Sequence, residues 1–146
     1  MKATTVATAV ARVRIAIGIA AVVVPGPAVE AIGARSGSSG LAPLLARMVG
    51  TRDIALGLGT IVALDRGAPV RGWLEGSALA DAGDCVAAVL GRRSMTPRAF
   101  RTTAGIAAAS AILGALLGRQ LDPPPPPDPG HPEAIATGHP AAAAEG

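Results

Sequence analysis

The sequence predicts an all-α protein: a four-helix transmembrane bundle with up-down-up-down connections, followed by a disordered C-terminal tail. Three observations carry this expectation. Four apolar runs of spanning length lie near 6–24, 41–64, 73–90 and 102–118, separated by turn-forming segments. Charged residues make up only 16% of the chain, against about 25% for a soluble domain. The hydrophobic half of the composition is drawn from Ala, Val, Leu and Ile, with one Phe, one Trp and no Tyr. A soluble core of this size uses aromatic side chains for buried area, whereas membrane helices pack closely through small residues.

The first run, Val6–Val24, carries Arg12 and Arg14 and is closed by Pro25-Gly26-Pro27, which cannot continue a helix. Ala28–Arg35 reads as a short interfacial turn of helix ahead of the flexible Gly37-Ser38-Ser39-Gly40. The second run, Leu41–Leu64, is interrupted by Arg47, Arg52 and Asp53, and ends in a tight polar turn, Asp65-Arg66-Gly67-Ala68-Pro69. The third, Trp73–Leu90, carries Glu75, Asp81 and Asp84. A basic loop, Gly91–Arg98, comes next, with Thr96 placed to cap the last helix. The fourth run, Thr102–Gly118, has no charge, and its apolar side chains surround the helix.

Crossing a hydrocarbon layer of about 30 Å takes about 20 helical residues. All four runs fit that length, and only the fourth also passes on hydropathy alone. A helix apolar all round is either a membrane span or a central core helix. Four short helices cannot enclose one, which disfavours the alternative of a soluble alanine-rich bundle. Short loops make neighbouring helices antiparallel.

Residues 1–121 thus form the membrane domain and 122–146 the tail. Pro123–Pro127 is a stiff spacer, and residues 128–146 have too little hydrophobic bulk to fold. His131 and His139 recur there in matching Gly-His-Pro triplets, without the companions a metal would need. The N-terminus has the charge pattern of a signal peptide but no clean small-x-small cleavage site, and the later runs require a membrane in either case.

The net charge of +3 does not indicate nucleic acid, because the basic residues flank apolar runs singly or in pairs with no stripe and no aromatic platform. They also divide almost evenly between the two sides of a four-span bundle, so they do not set its orientation. Cys85, the one cysteine, lies in an apolar run and reads as a small buried hydrophobe. There is no phosphate-binding glycine loop, nucleophile elbow or His/Glu metal spacing. The expectation is a multi-pass protein of the cell membrane that is not an enzyme and uses no cofactor or metal. Its partners are the lipid bilayer and a second copy or another membrane protein.

The candidate site is a buried charge network of Arg52, Asp53, Asp81 and Asp84. Each charge near the centre of a span costs about 2.5–3.5 kcal/mol, so four unpaired ones would cost roughly 10–14 kcal/mol. They must therefore face inward and meet. Ser77, Asp81, Asp84 and Ala88 share one helical face, with Gly76, Ala80 and Gly83 beside it for close approach. Gly57 and Thr60 follow Asp53 on its face. The planar Arg52 guanidinium fits between Asp81 and Asp84. Arg47, a turn nearer the interface, is a second candidate cation. One arginine against three carboxylates leaves an excess of −2, and Arg47 reduces it to −1. The network is read as a structural or interaction determinant, with a minimal proton- or cation-coupled carrier as the alternative.

Through Gly50-Thr51-Arg52-Asp53-Ile54-Ala55-Leu56-Gly57 and Ala78-Leu79-Ala80-Asp81-Ala82-Gly83-Asp84, the chain resembles a family of small four-helix membrane proteins from high-GC bacteria. That family's defining segment is catalogued as a domain of unknown function. The resemblance covers roughly 12–118 and implies a membrane location without implying an activity. Two weaker patterns are the small-xxx-small spacing of Gly114 and Gly118 and the likeness of Ile15-Ala16-Ile17-Gly18-Ile19 to Ile54-Ala55-Leu56-Gly57-Leu58.

Overall fold

The computed structural model describes residues 2–31 and 41–121. Among them the structure is all-helical, with four long helices. These are α1 (Ala3–Val23), α3 (Leu41–Asp65), α4 (Arg71–Leu90) and α5 (Pro97–Leu121), with a short α2 (Pro25–Ala31) after α1 and a 3-10 turn at Arg92–Ser94. The Gly37–Gly40 linker and the proline-rich tail of 122–146 lie outside the described residues.

The boundaries arise from local chemistry. Pro25 has no N–H to donate, so α1 ends at Val23. The same proline opens α2, because a fixed φ suits the first helical position. The Pro-Gly-Pro segment therefore breaks one helix and starts another, ahead of the turn expected from Ala28. Gly67 sits at φ +61° and closes α3. The Ala68 N–H donates to the Ala63 carbonyl at 2.9 Å and the Gly67 N–H to Leu64 at 3.3 Å, a glycine-dependent helix stop. At α5 the Ala99 N–H donates to Thr96 Oγ1 at 3.2 Å. That cap, with Pro97 in first position, starts the helix a turn before Thr102.

α1 packs along α3, and α4 packs along α5. Both pairs are antiparallel. Gly18 faces Gly50 and Ala11 faces Gly57 in the first, while Gly114 lies on Leu74 and Ala78 and Gly118 on Glu75 in the second. α3 also runs antiparallel to α4, with the Trp73 ring over Gly59 and Leu56 near Gly76. The bundle is thus two helical hairpins side by side, up-down-up-down. The two similar five-residue segments pack on each other, Ile54 reaching Gly18 and Ile15 reaching Gly57. The small spacing of Gly114 and Gly118 serves the α4–α5 contact. Gly83, expected to admit a neighbour, has open space where a side chain would stand.

Small groups are inside and large apolar ones outside. Of the buried hydrophobic residues, only Val70, Leu74 and Leu117 are larger than alanine, and Thr60, Ser77 and Asp81 are buried among them. Ala7, Ala63, Val70, Leu74 and Leu117 form an apolar cluster that closes one end of the bundle. Outward-facing Leu45 and Leu58 on α3, Leu79 (75% exposed) and Leu90 on α4, and Ile106 and Ile112 on α5 present apolar surface on every side.

Two helices, α1 and α5, are long and apolar enough to cross a membrane. α1 qualifies alongside the expected α5 despite its two arginines. Only 22% and 17% of their apolar stretches are buried within the chain, so neither is the enclosed central helix of a soluble bundle. α1 is moreover integral to the fold, packed along the length of α3.

Candidate functional site

Three long helices bring five charged side chains to one level. Arg14, Asp53 and Asp81 each lie near the middle of their helices, α1, α3 and α4. Arg14 lies on the small-residue face of α1, with Ala7, Ala11, Gly18 and Ala21, all buried. Asp53 shares its face with the buried Gly57 and Thr60, and Asp81 shares one with the buried Ser77 and Ala88.

Arg14 bridges two helices. Its Nη1 donates to Asp53 Oδ1 at 2.9 Å and its Nη2 to Asp81 Oδ2. Arg52 forks onto Asp84, with Nη1 to Oδ1 at 3.0 Å and Nη2 to Oδ2 at 2.7 Å. It also reaches Asp53 Oδ1 through Nε at 3.3 Å and Nη2 at 3.1 Å. Asp53 Oδ1 is therefore shared by both guanidiniums, and the whole is one chain of charge-assisted bonds. Arg14 and Asp81 form its deep end, with side chains 10% and 9% exposed; Arg52 and Asp84, at 31% and 37%, form its open end. No fully buried side-chain nitrogen or oxygen among the described residues lacks a partner.

The four residues expected from sequence do come together, in a different arrangement. Arg52 holds Asp84 and not Asp81. The cation on Asp81 is Arg14, which in the sequence stands out only as a weakness in the first span. Arg47 stands apart, its Nε donating to the Val22 carbonyl at 3.2 Å. Glu75 pairs with Arg71 on the exposed surface at 2.6 Å. The signal that could have found Arg14 is its place on the small-residue stripe of α1. Arg12 lies off that stripe, is exposed, and makes no ion pair among the described residues.

A cavity of about 550 Å³ adjoins the network at the seam of α1 and α5. Arg14, Asp53, Asp81 and Asp84 contribute its charged lining; Val13, Ile17, Ile106 and Leu113 its apolar walls; Thr103 and Ser110 two hydroxyls. Val13, Ile17 and Ile106 stay more than half exposed, so the cavity opens sideways between the helices. Among the described residues no group of three or more His, Cys, Asp or Glu side chains is arranged to hold a metal ion.

The fold and site define an all-helical protein with a charged centre, two of whose helices meet the length and apolarity of membrane spans. Comparison with protein-family models, curated proteins and solved structures finds no match.

Proposed function

We propose that the chain is a four-span integral membrane protein whose two helical hairpins are locked together at the bilayer midplane by the Arg14/Arg52–Asp53/Asp81/Asp84 network. The observation that carries this reading is the inverted distribution of side chains on the long helices, with five paired charges at the centre and many leucine, isoleucine and valine side chains outside, the exposed Arg12 of α1 being an exception at mid-helix. Exposing that outer surface to water is costly, whereas lipid is its natural solvent. At about 1.5 Å per residue, α1 and α4 are about 30 Å long and α3 and α5 about 38 Å. Each is sufficient for a hydrocarbon core of about 30 Å. α3 and α4 are too charged to qualify as spans by composition, but Arg52, Asp53, Asp81 and Asp84 pair inside the bundle, and pairing reduces the cost of insertion.

In this reading the network fixes register and joins the hairpins, since few backbone segments of the two approach each other elsewhere. Thr4, Thr8 and the exposed Arg12 follow one another at helical spacing on α1. An unpaired guanidinium there favours a partner helix carrying a carboxylate, from a second copy or another membrane protein. A second functional reading, a minimal proton- or cation-coupled carrier, is favoured by the charge sum. Two arginines face three carboxylates, leaving one negative charge beside an accessible cavity.

The membrane reading is tested by fractionation. The full chain is expected in the membrane pellet after alkaline carbonate washing, with release only by detergent. Recovery in the carbonate supernatant would overturn it.

A further inference from the structure

The network's hydrogen bonding is uneven. Asp53 receives all its bonds on Oδ1 and Asp81 its bond on Oδ2. Among the described residues no donor reaches Asp53 Oδ2 or Asp81 Oδ1, although Asp81 is among the most enclosed polar side chains of the bundle, its side chain 9% exposed. Both carboxylates line the cavity. Two hydroxyls on its α5 wall are also unengaged. Thr8, Thr51, Thr60 and Thr102 each donate to a carbonyl one turn back, the usual habit of a helical hydroxyl. Thr103 and Ser110, which line the cavity, make no such bond among the described residues.

We infer that this cavity is a binding site for a small organic ammonium ion with an apolar body, received by Asp53 and Asp81. The inference rests on the membrane reading above and gives the carrier alternative a ligand class. Charge sets the sign and the size: the network beside the cavity carries two guanidiniums and three carboxylates, so one monovalent cation neutralises it and an anion is repelled. An N–H donor matches the vacant acceptor oxygens. A bare divalent ion is a poorer fit, since calcium takes about six to eight oxygens. The volume of about 550 Å³ lies in the usual range of small-molecule pockets. The walls of Val13, Ile17, Ile106 and Leu113 suit an aliphatic or aromatic body, and the lateral opening admits a ligand that has partitioned into the bilayer.

The test is calorimetric titration of the detergent-purified full chain with phenethylammonium, against 2-phenylethanol as a neutral analogue and phenylacetate as an anion. The ammonium is expected to bind at least ten-fold more tightly than the alcohol, with phenylacetate not binding. Asp53→Asn, which removes the excess charge, should abolish the preference for ammonium over alcohol. Ser110→Leu, which narrows the cavity without touching the ion pairs, should weaken ammonium binding at least ten-fold and keeps the test decisive should Asp53→Asn fail to fold. Equal binding of amine and alcohol would mark a seam filled by lipid chains and overturn the inference, as would unchanged ammonium binding by Ser110→Leu. A detergent-stable dimer that Ile106→Asn dissociates, with no ammonium binding to either form, would assign the seam to a second copy and overturn it as well. Carbonate extraction separates the two failures: a chain that stays in the membrane but shows no ammonium preference refutes only this site.

Discussion

Arg14→Ala is expected to destabilise the protein in detergent by about 3–5 kcal/mol, the usual cost of removing one partner of a buried ion pair. The truncation leaves Asp53 and Asp81 at the deep end of the network with only Arg52 to balance three carboxylates. Arg52→Ala is expected to cost less, because Asp84, 37% exposed at the open end of the network, can reorient once its partner is lost, whereas the enclosed Asp81 cannot. Asp81→Asn introduced into Arg14→Ala should restore part of the lost stability, since the amide removes the buried charge left without a partner. A thermal-unfolding cycle over the four proteins measures that coupling. Strict additivity, or a larger loss from Arg52→Ala than from Arg14→Ala, would show that the deep pair does not hold the hairpins together.

The second large effect is steric. A Cβ added to Gly50 would stand 2.6 Å from the Gly18 carbonyl oxygen, and one added to Gly18 would stand 2.6 Å from that of Gly50. The obstruction is backbone on both sides, so no rotamer change relieves it and α1 must move off α3. Gly50→Val is therefore expected to cost about 3 kcal/mol, at the top of the usual range for overpacking. Because Arg14 rides on α1, the same change should also loosen its contacts with Asp53 and Asp81. Gly83→Ala is the matched control. Its site is open, so the better helix propensity of alanine should leave stability unchanged or raise it by about 0.5–1 kcal/mol. Both are read from unfolding midpoints in the same detergent. A Gly50→Val protein as stable as the parent would contradict the close approach of α1 and α3.

Local features of this fold were legible in the sequence because local chemistry fixes them. Gly67 ends α3, Thr96 caps α5, and the face carrying Ser77, Asp81 and Ala88 turns inward, each readable from a few neighbouring residues. The Asp53 face with Gly57 and Thr60 was legible for the same reason. Pairing across the bundle was not. Arg14 is 39 residues from Asp53 and 67 from Asp81, and nothing within α1 announces an acidic partner. Assigning Asp81 to Arg52 left α1 out of the network; the packing of Gly18 on Gly50 and Ile15 on Gly57 sets α1 against α3 and brings Arg14 to Asp53 and Asp81. The cavity was equally hidden, since its walls come from α1 and α5, the two helices farthest apart in the chain.

The decisive question for the four-span proposal is whether α3 and α4, which carry most of the charge, face lipid. Spin labels at Leu58→Cys and Leu79→Cys, in a Cys85→Ala background reconstituted into liposomes, test this directly. Both positions are exposed apolar sites within a few residues of the network level, on the two helices whose composition alone does not qualify them as spans. For a four-span bundle, both labels should collide more often with dissolved oxygen, which concentrates in lipid, than with a water-soluble nickel chelate. Preferential collision with the chelate at either position would put that helix in water and contradict the four-span account.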